Sequence, residues 1–249
     1  MGILKTITEE YFGDTIRKED EINIDGLDVE IVSFTDNNGK YHGNGYKPKN
    51  LKNLRNLLKR MIEVRGDEGD FNDIDTSDIK IMDSFFRENK TFNGDISGWN
   101  VSSVESMSEM FCGAKSFNQP IGNWDVSSVE NMNNMFNGAS LFNQPISNWD
   151  VSNVRDMSGM FCFAESFNQP IGDWKVLKVI YMNNMFRIAE SFNQPICDWD
   201  VSSVKDMDFM FKYASSFNQD LSKWDLTEKN TVEMFNNCPI KDEYKPKME

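Results

Sequence analysis

Hydrophobic and polar positions in this chain follow two regimes. From residue 74 onward, large apolar side chains recur at a fixed interval. Tryptophans stand at 99, 124, 149, 174, 199 and 224. Phenylalanines keep the same spacing at 86, 111, 136, 161, 186 and 211, and again at 92, 117, 142, 167, 192 and 217. One unit reads WDVSSVENMNNMFNGASLFNQPISN, residues 124–148. Copies begin at 99, 124, 149, 174 and 199, with a Trp-less copy before them from Ile74 and a shortened one after them from Trp224. So short a unit cannot bury its own apolar face, so successive units stack and share one continuous core.

Within a unit, Ile121, Trp124 and Val126 alternate as a strand does, with Asp125 turned outward. Val129, Met132, Met135, Phe136 and Ala139 then advance by threes and fours, which predicts one face of a short helix. Ser128 is placed to cap its start and Gly138 to end it. Phe142-Asn143-Gln144-Pro145 turns the chain toward the next unit. The expectation is an α/β repeat solenoid of short parallel strands and short helices. The methionine rows supply core filler of adaptable shape. Asn93, Asn118, Asn143, Asn168, Asn193 and Asn218 recur once per unit. They are expected to form a structural ladder that bonds turn backbone within and between coils.

The recurring W-D-V-S-S-V, M-F and S-F-N-Q-P-I segments run from residue 74 to about 238. They resemble the bacterial surface-protein repeat of roughly 25 residues related to the BspA-like leucine-rich repeats, best known from mycoplasma and other bacterial lipoproteins. Ile121-x-x-Trp124-x-Val126 is similar to the strand consensus of leucine-rich repeats. The resemblance implies a right-handed, leucine-rich-repeat-like coil that binds partners, with adhesion or host interaction as the usual proposal. Related repeats also occur in viral and phage proteins.

The preceding segment reads differently. Val29, Ile31 and Ser33 alternate within residues 22–46, and Asn38-Gly39 offers a hairpin turn. Residues 48–65 place Leu51, Leu54, Leu58 and Met61 on one helical face, with Gly66 just beyond. The opposite face carries Lys49, Lys52, Arg55, Lys59, Arg60 and Arg65. Such a face could dock on an anionic membrane or nucleic acid. A solenoid end needs a cap, however, and covering the first coil is the favoured reading. The organisation is therefore a small α+β N-terminal capping region (1–73), a solenoid (74–240) and a frayed tail (241–249).

Charge and composition narrow the function. The net charge is −14, from 26 basic and 40 acidic residues. That sets the chain against phosphate-tracking partners, and no nucleic acid is expected. The single histidine, His42, leaves no His-based triad or multi-His metal site. No Gly-rich phosphate loop, G-x-S-x-G or H-E-x-x-H is present. Carboxylates in the repeats recur at one phase and form no singular pair. No enzyme, no catalytic residue and no cofactor is expected. No apolar run is long enough for a membrane span or signal peptide, which favours a cytoplasmic location, of a bacterium or an infected host, over export. Gly2 and Thr6 fit the loose myristoylation pattern. Cys112 and Cys162 share a phase two coils apart, ~10 Å at ~4.8 Å per parallel strand. That exceeds the ~6.8 Å reach of a disulfide. Cys238 falls in the row of Ala114, Ala139, Ala164, Ala189 and Ala214, and Cys197 in a turn, so free thiols are expected.

A protein partner is what remains. Outward positions after each tryptophan are Asn100, Asp125, Asp150, Lys175, Asp200 and Asp225. Asp125, Asp150, Asp200 and Asp225 form an acidic face that would attract a divalent cation or basic partner, or each closes its own Asx-turn. Both readings stay open. The unit from Trp174 departs from consensus: Lys175 replaces Asp, Leu177 replaces Ser, and Ile180 and Tyr181 take polar positions. Nearby, Gly113 and Gly138 give way to Phe163, Ile188 and Tyr213. Core positions there are intact, so these seven residues form a candidate partner-binding patch. Drift, or burial against the N-terminal segment, is the other reading. The expected function is a non-enzymatic protein-interaction scaffold of the BspA-like type. The alternative is a structural, assembly or surface-adhesion component.

Overall fold

The computed structural model describes residues 22–33, 35–41 and 43–247. Gly2, Thr6 and His42 lie outside the described residues.

The expected hairpin forms. Strand β1 (Val29–Val32) pairs antiparallel with β2 (Gly45–Pro48), Val29 opposite Pro48 and Val32 opposite Gly45. In the turn between them, Asp36 accepts the Asn38 and Lys40 N–H groups at 2.9 and 3.0 Å, and Gly39 takes φ 81°. Helix α1 (Leu51–Arg65) starts where the Asn50 side chain accepts the Asn53 N–H at 3.0 Å. It stops at Gly66, φ 77°, whose N–H returns to the Ile62 carbonyl. Its buried stripe is Leu54, Leu57, Leu58 and Met61, and Leu51 is only half-buried.

This region caps the solenoid. Backbone of β2 bonds the first coil through Tyr46 N–H to Asp73 O and Asp75 N–H to Tyr46 O. Arg65 grips Asp73 with two bonds of 2.7 Å in a half-buried pair. Arg55 donates to the Asp83 carbonyl at 2.8 Å and lies 5.3 Å over the Phe85 ring. Arg60 donates to the Asn23 and Asp25 carbonyls. Arg55, Arg60 and Arg65 on the basic face of α1 thus spend their donors within the protein.

The repeats form a solenoid, but not from the predicted elements. Among the described residues the only other regular element is a 3₁₀ turn, Asp242–Tyr244. Neither short helices nor Trp-centred strands exist in the coils. The Trp124 and Val129 N–H groups instead close turns onto the Ile121 and Val126 carbonyls. The parallel register runs at another phase, one residue per coil, through Ile81, Ser106, Asn131, Asp156, Tyr181, Asp206 and Asn230.

The segment read as a helix is a chain of turns whose N–H groups alternate in direction. The N–H groups of Met107, Glu109, Phe111 and Gly113 reach forward to carbonyls of Asn131, Asn133, Met135 and Asn137 in the next coil, at 2.7–2.9 Å. Those of Met110, Cys112 and Ala114 close turns onto carbonyls three residues back. Such alternation needs left-handed backbone twice per coil. One phase holds Ser84, Glu109, Asn134, Gly159, Asn184, Phe209 and Glu233, and the other holds Glu88, Gly113, Gly138, Phe163, Ile188, Tyr213 and Asn237. A left-handed non-glycine residue costs about 1–2 kcal/mol. Four axial hydrogen bonds at about 0.5–1.5 kcal/mol each, plus buried aromatics at roughly 1.5–3 kcal/mol each, outweigh two such positions.

Apolar positions are buried as the period predicts. The Trp, Val, Met, Phe and Ala rows are at most 4% exposed from Trp99 to Trp224. Phe86, Phe111, Phe136, Phe161, Phe186, Phe211 and Phe235 stack coil on coil with centroids 5.2–5.8 Å apart. Each indole N–H from Trp99 to Trp199 donates to a carbonyl of the preceding coil, as Trp124 does to Ile96 at 3.2 Å. The asparagine ladder also forms. Asn93 Oδ1 accepts the Asn118 N–H, and the step repeats through Asn218 at 2.9–3.0 Å. Gln119, Gln144, Gln169, Gln194 and Gln219 reinforce it with side-chain N–H groups.

The tail is ordered through Lys247, against expectation. Lys241 N–H extends the asparagine ladder to Asn218 Oδ1, Leu221 N–H bonds Tyr244 O, and Leu226 N–H bonds Lys247 O. Ile240 is buried beneath it. The stretch completes one side of the last coil, which would otherwise leave those N–H groups bare.

Asn143→Ala strips the acceptor from the Asn168 N–H and one of two from Gln169 Nε2, which keeps the Asn143 carbonyl. Unfolding in denaturant should show a loss of about 1–3 kcal/mol. A change below about 0.5 kcal/mol, typical of a surface position, contradicts a structural ladder.

Candidate interaction surfaces

Each aspartate of the acidic row serves a local turn. Asp125, Asp150, Asp200 and Asp225 accept the N–H two residues on, from Ser127, Ser152, Ser202 and Thr227, at 3.0–3.1 Å. Asn100 does the same for Ser102. The Ser152 side-chain and backbone bonds hold the Asp150 carboxyl below its ordinary range, with a smaller contribution from Lys178. Ser202 and Thr227 act likewise on Asp200 and Asp225. Among the described residues no group of three or more His, Cys, Asp or Glu side chains is placed to hold a metal ion. The geometry is that of the Asx-turn.

The four cysteines are free thiols. Burial pushes Cys162 and Cys238 up to about 11, so both stay protonated as small core groups.

Five of the seven patch residues divide between two places, and Lys175 and Tyr181 lie outside both. Phe163, Ile188 and Tyr213 stack along the axis on successive coils, joined through Phe163 N–H to Arg187 O and Ile188 N–H to Lys212 O. They occupy the second left-handed phase, at φ 56°, 58° and 61°, where earlier coils carry Gly113 and Gly138. The rings are 40% and 45% exposed at Phe163 and Tyr213. Arg187 lies 5.9 Å over Phe163, and Lys212 lies 5.1 and 5.5 Å over Phe209 and Tyr213. Lys212 also pairs with Glu233. Phe209 was missed from sequence, although it breaks a phase held elsewhere by Ser, Glu, Asn and Gly.

Leu177 and Ile180 line a separate open groove of about 780 Å³, with Leu177 53% exposed. Arg155, Lys178, Lys205 and Lys229 share its walls, with Glu228 the single carboxylate. Tyr181, 46% exposed, sits in the one-residue parallel register between Asp156 and Asp206. Lys175 is exposed at the Asp position of its coil. The basic wall was also missed. Its signal is one column that reads Glu105, Glu130, Arg155, Ile180, Lys205 and so reverses charge partway along the solenoid.

A carboxylate whose pKa is lower folded than unfolded adds stability above its unfolded value, and that stability is lost as pH falls through the folded value. Asp150→Asn/Asp200→Asn keeps the turn acceptor, as Asn100 does, and removes the titration. Below about pH 4 the variant should lose stability less steeply than wild type in acid titrations of melting temperature, with little change at neutral pH. An unchanged acid slope contradicts the Asx-turn account.

Among the described residues no helix is long and apolar enough to cross a membrane. No curated protein and no solved structure matches the chain significantly. The model of the family DUF285, described as a Mycoplasma protein of unknown function, matches twice, over residues 52–163 and 145–245. The two matches span the end of the cap and the whole run of coils, so the chain belongs to the DUF285 family.

Proposed function

We propose that the chain is a non-enzymatic protein-interaction scaffold whose solenoid surface binds a protein partner. One observation carries this reading. Phe163, Ile188 and Tyr213 hold left-handed backbone at a phase that carries Gly113 and Gly138 in two earlier coils, Glu88 before them and Asn237 in the last. For a β-branched residue such as Ile188 that conformation is a true outlier. Every coil holds left-handed backbone here, but only these three coils use it to keep an aromatic and aliphatic row at the surface, flanked by Arg187 and Lys212. Aromatic side chains with neighbouring guanidinium groups are common anchors of protein interfaces. Kinship with the BspA-like leucine-rich repeats is proposed on the W-D-V-S-S-V and S-F-N-Q-P-I consensus alone, because the axial bonding runs at a different phase from the leucine-rich-repeat strand.

The assembly reading has its own observation. The Glu233, Phe235 and Asn237 N–H groups of the last coil lack acceptors among the described residues. The complementary carbonyl end of the first coil lies under α1, where Arg55 takes Asp83 O. That covering opposes head-to-tail growth, and light scattering should find a monodisperse monomer at micromolar concentration. Oligomers that grow with concentration would favour assembly.

Phe163→Gly/Ile188→Gly/Tyr213→Gly exchanges strained residues for the glycine the fold already accepts. Relief of about 1–2 kcal/mol per left-handed residue offsets the entropy of glycine, about 0.5–1 kcal/mol, so the melting temperature should stay near wild type. Capture of the partner from native lysate should be lost. Undiminished capture by the folded variant removes this row from the partner site.

A further inference from the structure

On a chain of net charge −14, the groove beside Leu177 and Ile180 gathers cations. Of its four, only Arg155 meets a carboxylate at ion-pair distance among the described residues, Glu130 at 3.5 Å across an exposed contact. Lys178 donates to the neutral Asn153 side chain at 2.7 Å. Lys229 donates to the Ser202 and Val204 carbonyls at 3.0 and 2.8 Å. Lys205 makes no ion pair among the described residues. Neutral oxygens position the Lys178 and Lys229 charges, and among the described residues none of the three lysines meets a carboxylate at contact distance. Between them lie two aliphatic side chains at positions where neighbouring coils carry polar ones. Ile180 stands in the column between Arg155 and Lys205, and Leu177 replaces a consensus serine.

We infer that this groove binds an extended acidic peptide segment bearing aliphatic side chains, a partner chemistry that rests on the reading of the chain as an interaction scaffold. The lining crosses four coils, from Arg155 to Lys229. At ~4.8 Å per coil and ~3.3 Å per extended residue, four to five peptide residues cover it. Carboxylates on one side of such a segment meet the lysines, and aliphatic groups on the other meet Leu177 and Ile180. Charge complementarity sets partner choice and speeds encounter, while the apolar floor adds buried area that a free anion does not use. A nucleic acid fits less well. Its sugar–phosphate backbone offers nothing to the aliphatic floor of Leu177 and Ile180.

The test is a fluorescence anisotropy titration of the full chain with a fluorescein-labelled peptide of alternating Glu and Leu. A Lys-Leu peptide and a labelled oligothymidylate serve as comparisons. Wild type should bind the Glu-Leu peptide in the micromolar range, more weakly as salt rises, and should bind neither comparison ligand. Lys178→Glu/Lys205→Glu should weaken binding at least tenfold with an unchanged melting temperature, and Leu177→Ser should weaken it severalfold. The Phe163→Gly/Ile188→Gly/Tyr213→Gly variant should bind this peptide as wild type does, because its substitutions lie outside the groove. A failure here is therefore separate from a failure of the aromatic row. No binding at 100-fold the expected concentration, equal binding by the charge-reversed variant, or tighter binding of the oligonucleotide overturns the inference.

Discussion

The structure depends on where the backbone N–H groups of each Met-x-x-Met-Phe segment go. A buried donor left unpaired costs about 1–3 kcal/mol, and a coil this short has no partner strand of its own. Alternate donors therefore leave the coil along the axis, as Met107, Glu109, Phe111 and Gly113 do. Everything else follows from that register. It holds each phenylalanine over its counterpart, brings every indole N–H from Trp99 to Trp199 to a carbonyl of the preceding coil, and sets each asparagine one step from the next. Side chains do not choose the spacing. They fill the layers that the axial hydrogen bonds create.

Much of this was legible in the sequence, because identical environments stacked on one axis demand identical residues at one interval. The period, the core rows, the asparagine ladder, the hairpin and the capping helix could all be read. The local conformation could not. Apolar residues three and four apart, such as Val129, Met132, Phe136 and Ala139, describe one face of a helix. They equally describe a chain of three-residue turns with a left-handed residue every fourth position. The distinguishing signal was present in Gly113, Gly138, Gly159, Asn134 and Asn184, since glycine and asparagine tolerate positive φ best. Gly138 also suits a helix terminus. It does adopt φ 71°, but within a continuing series of turns. The tail was misjudged because its charged residues suggest solvent, whereas Ile240 and the backbone of Tyr244 and Lys247 close the last coil.

The candidate sites show the same division. Consensus breaks at Phe163, Leu177, Ile188 and Tyr213 were visible as letters, but their separation onto two surfaces needed coordinates. The acidic row illustrates the opposite case. Repetition at Asp125, Asp150, Asp200 and Asp225 fits either a shared acidic stripe or one turn per coil, and the geometry gives each carboxylate a turn to close. Residues that repeat build the scaffold, and those that interrupt the repeat lie at its surface in the second half of the solenoid. There the column that begins with Glu105 and Glu130 also turns basic.

Native-state amide hydrogen exchange, resolved by residue, tests axial donation most directly. Phe211 and Tyr213 N–H groups, which donate to Met234 and Asn236 carbonyls, should exchange slowly. Their equivalents one coil later, Phe235 and Asn237, have no acceptor among the described residues and should exchange fast. Short helices in each repeat would protect both pairs alike, and equal protection of Phe211 and Phe235 would contradict the account.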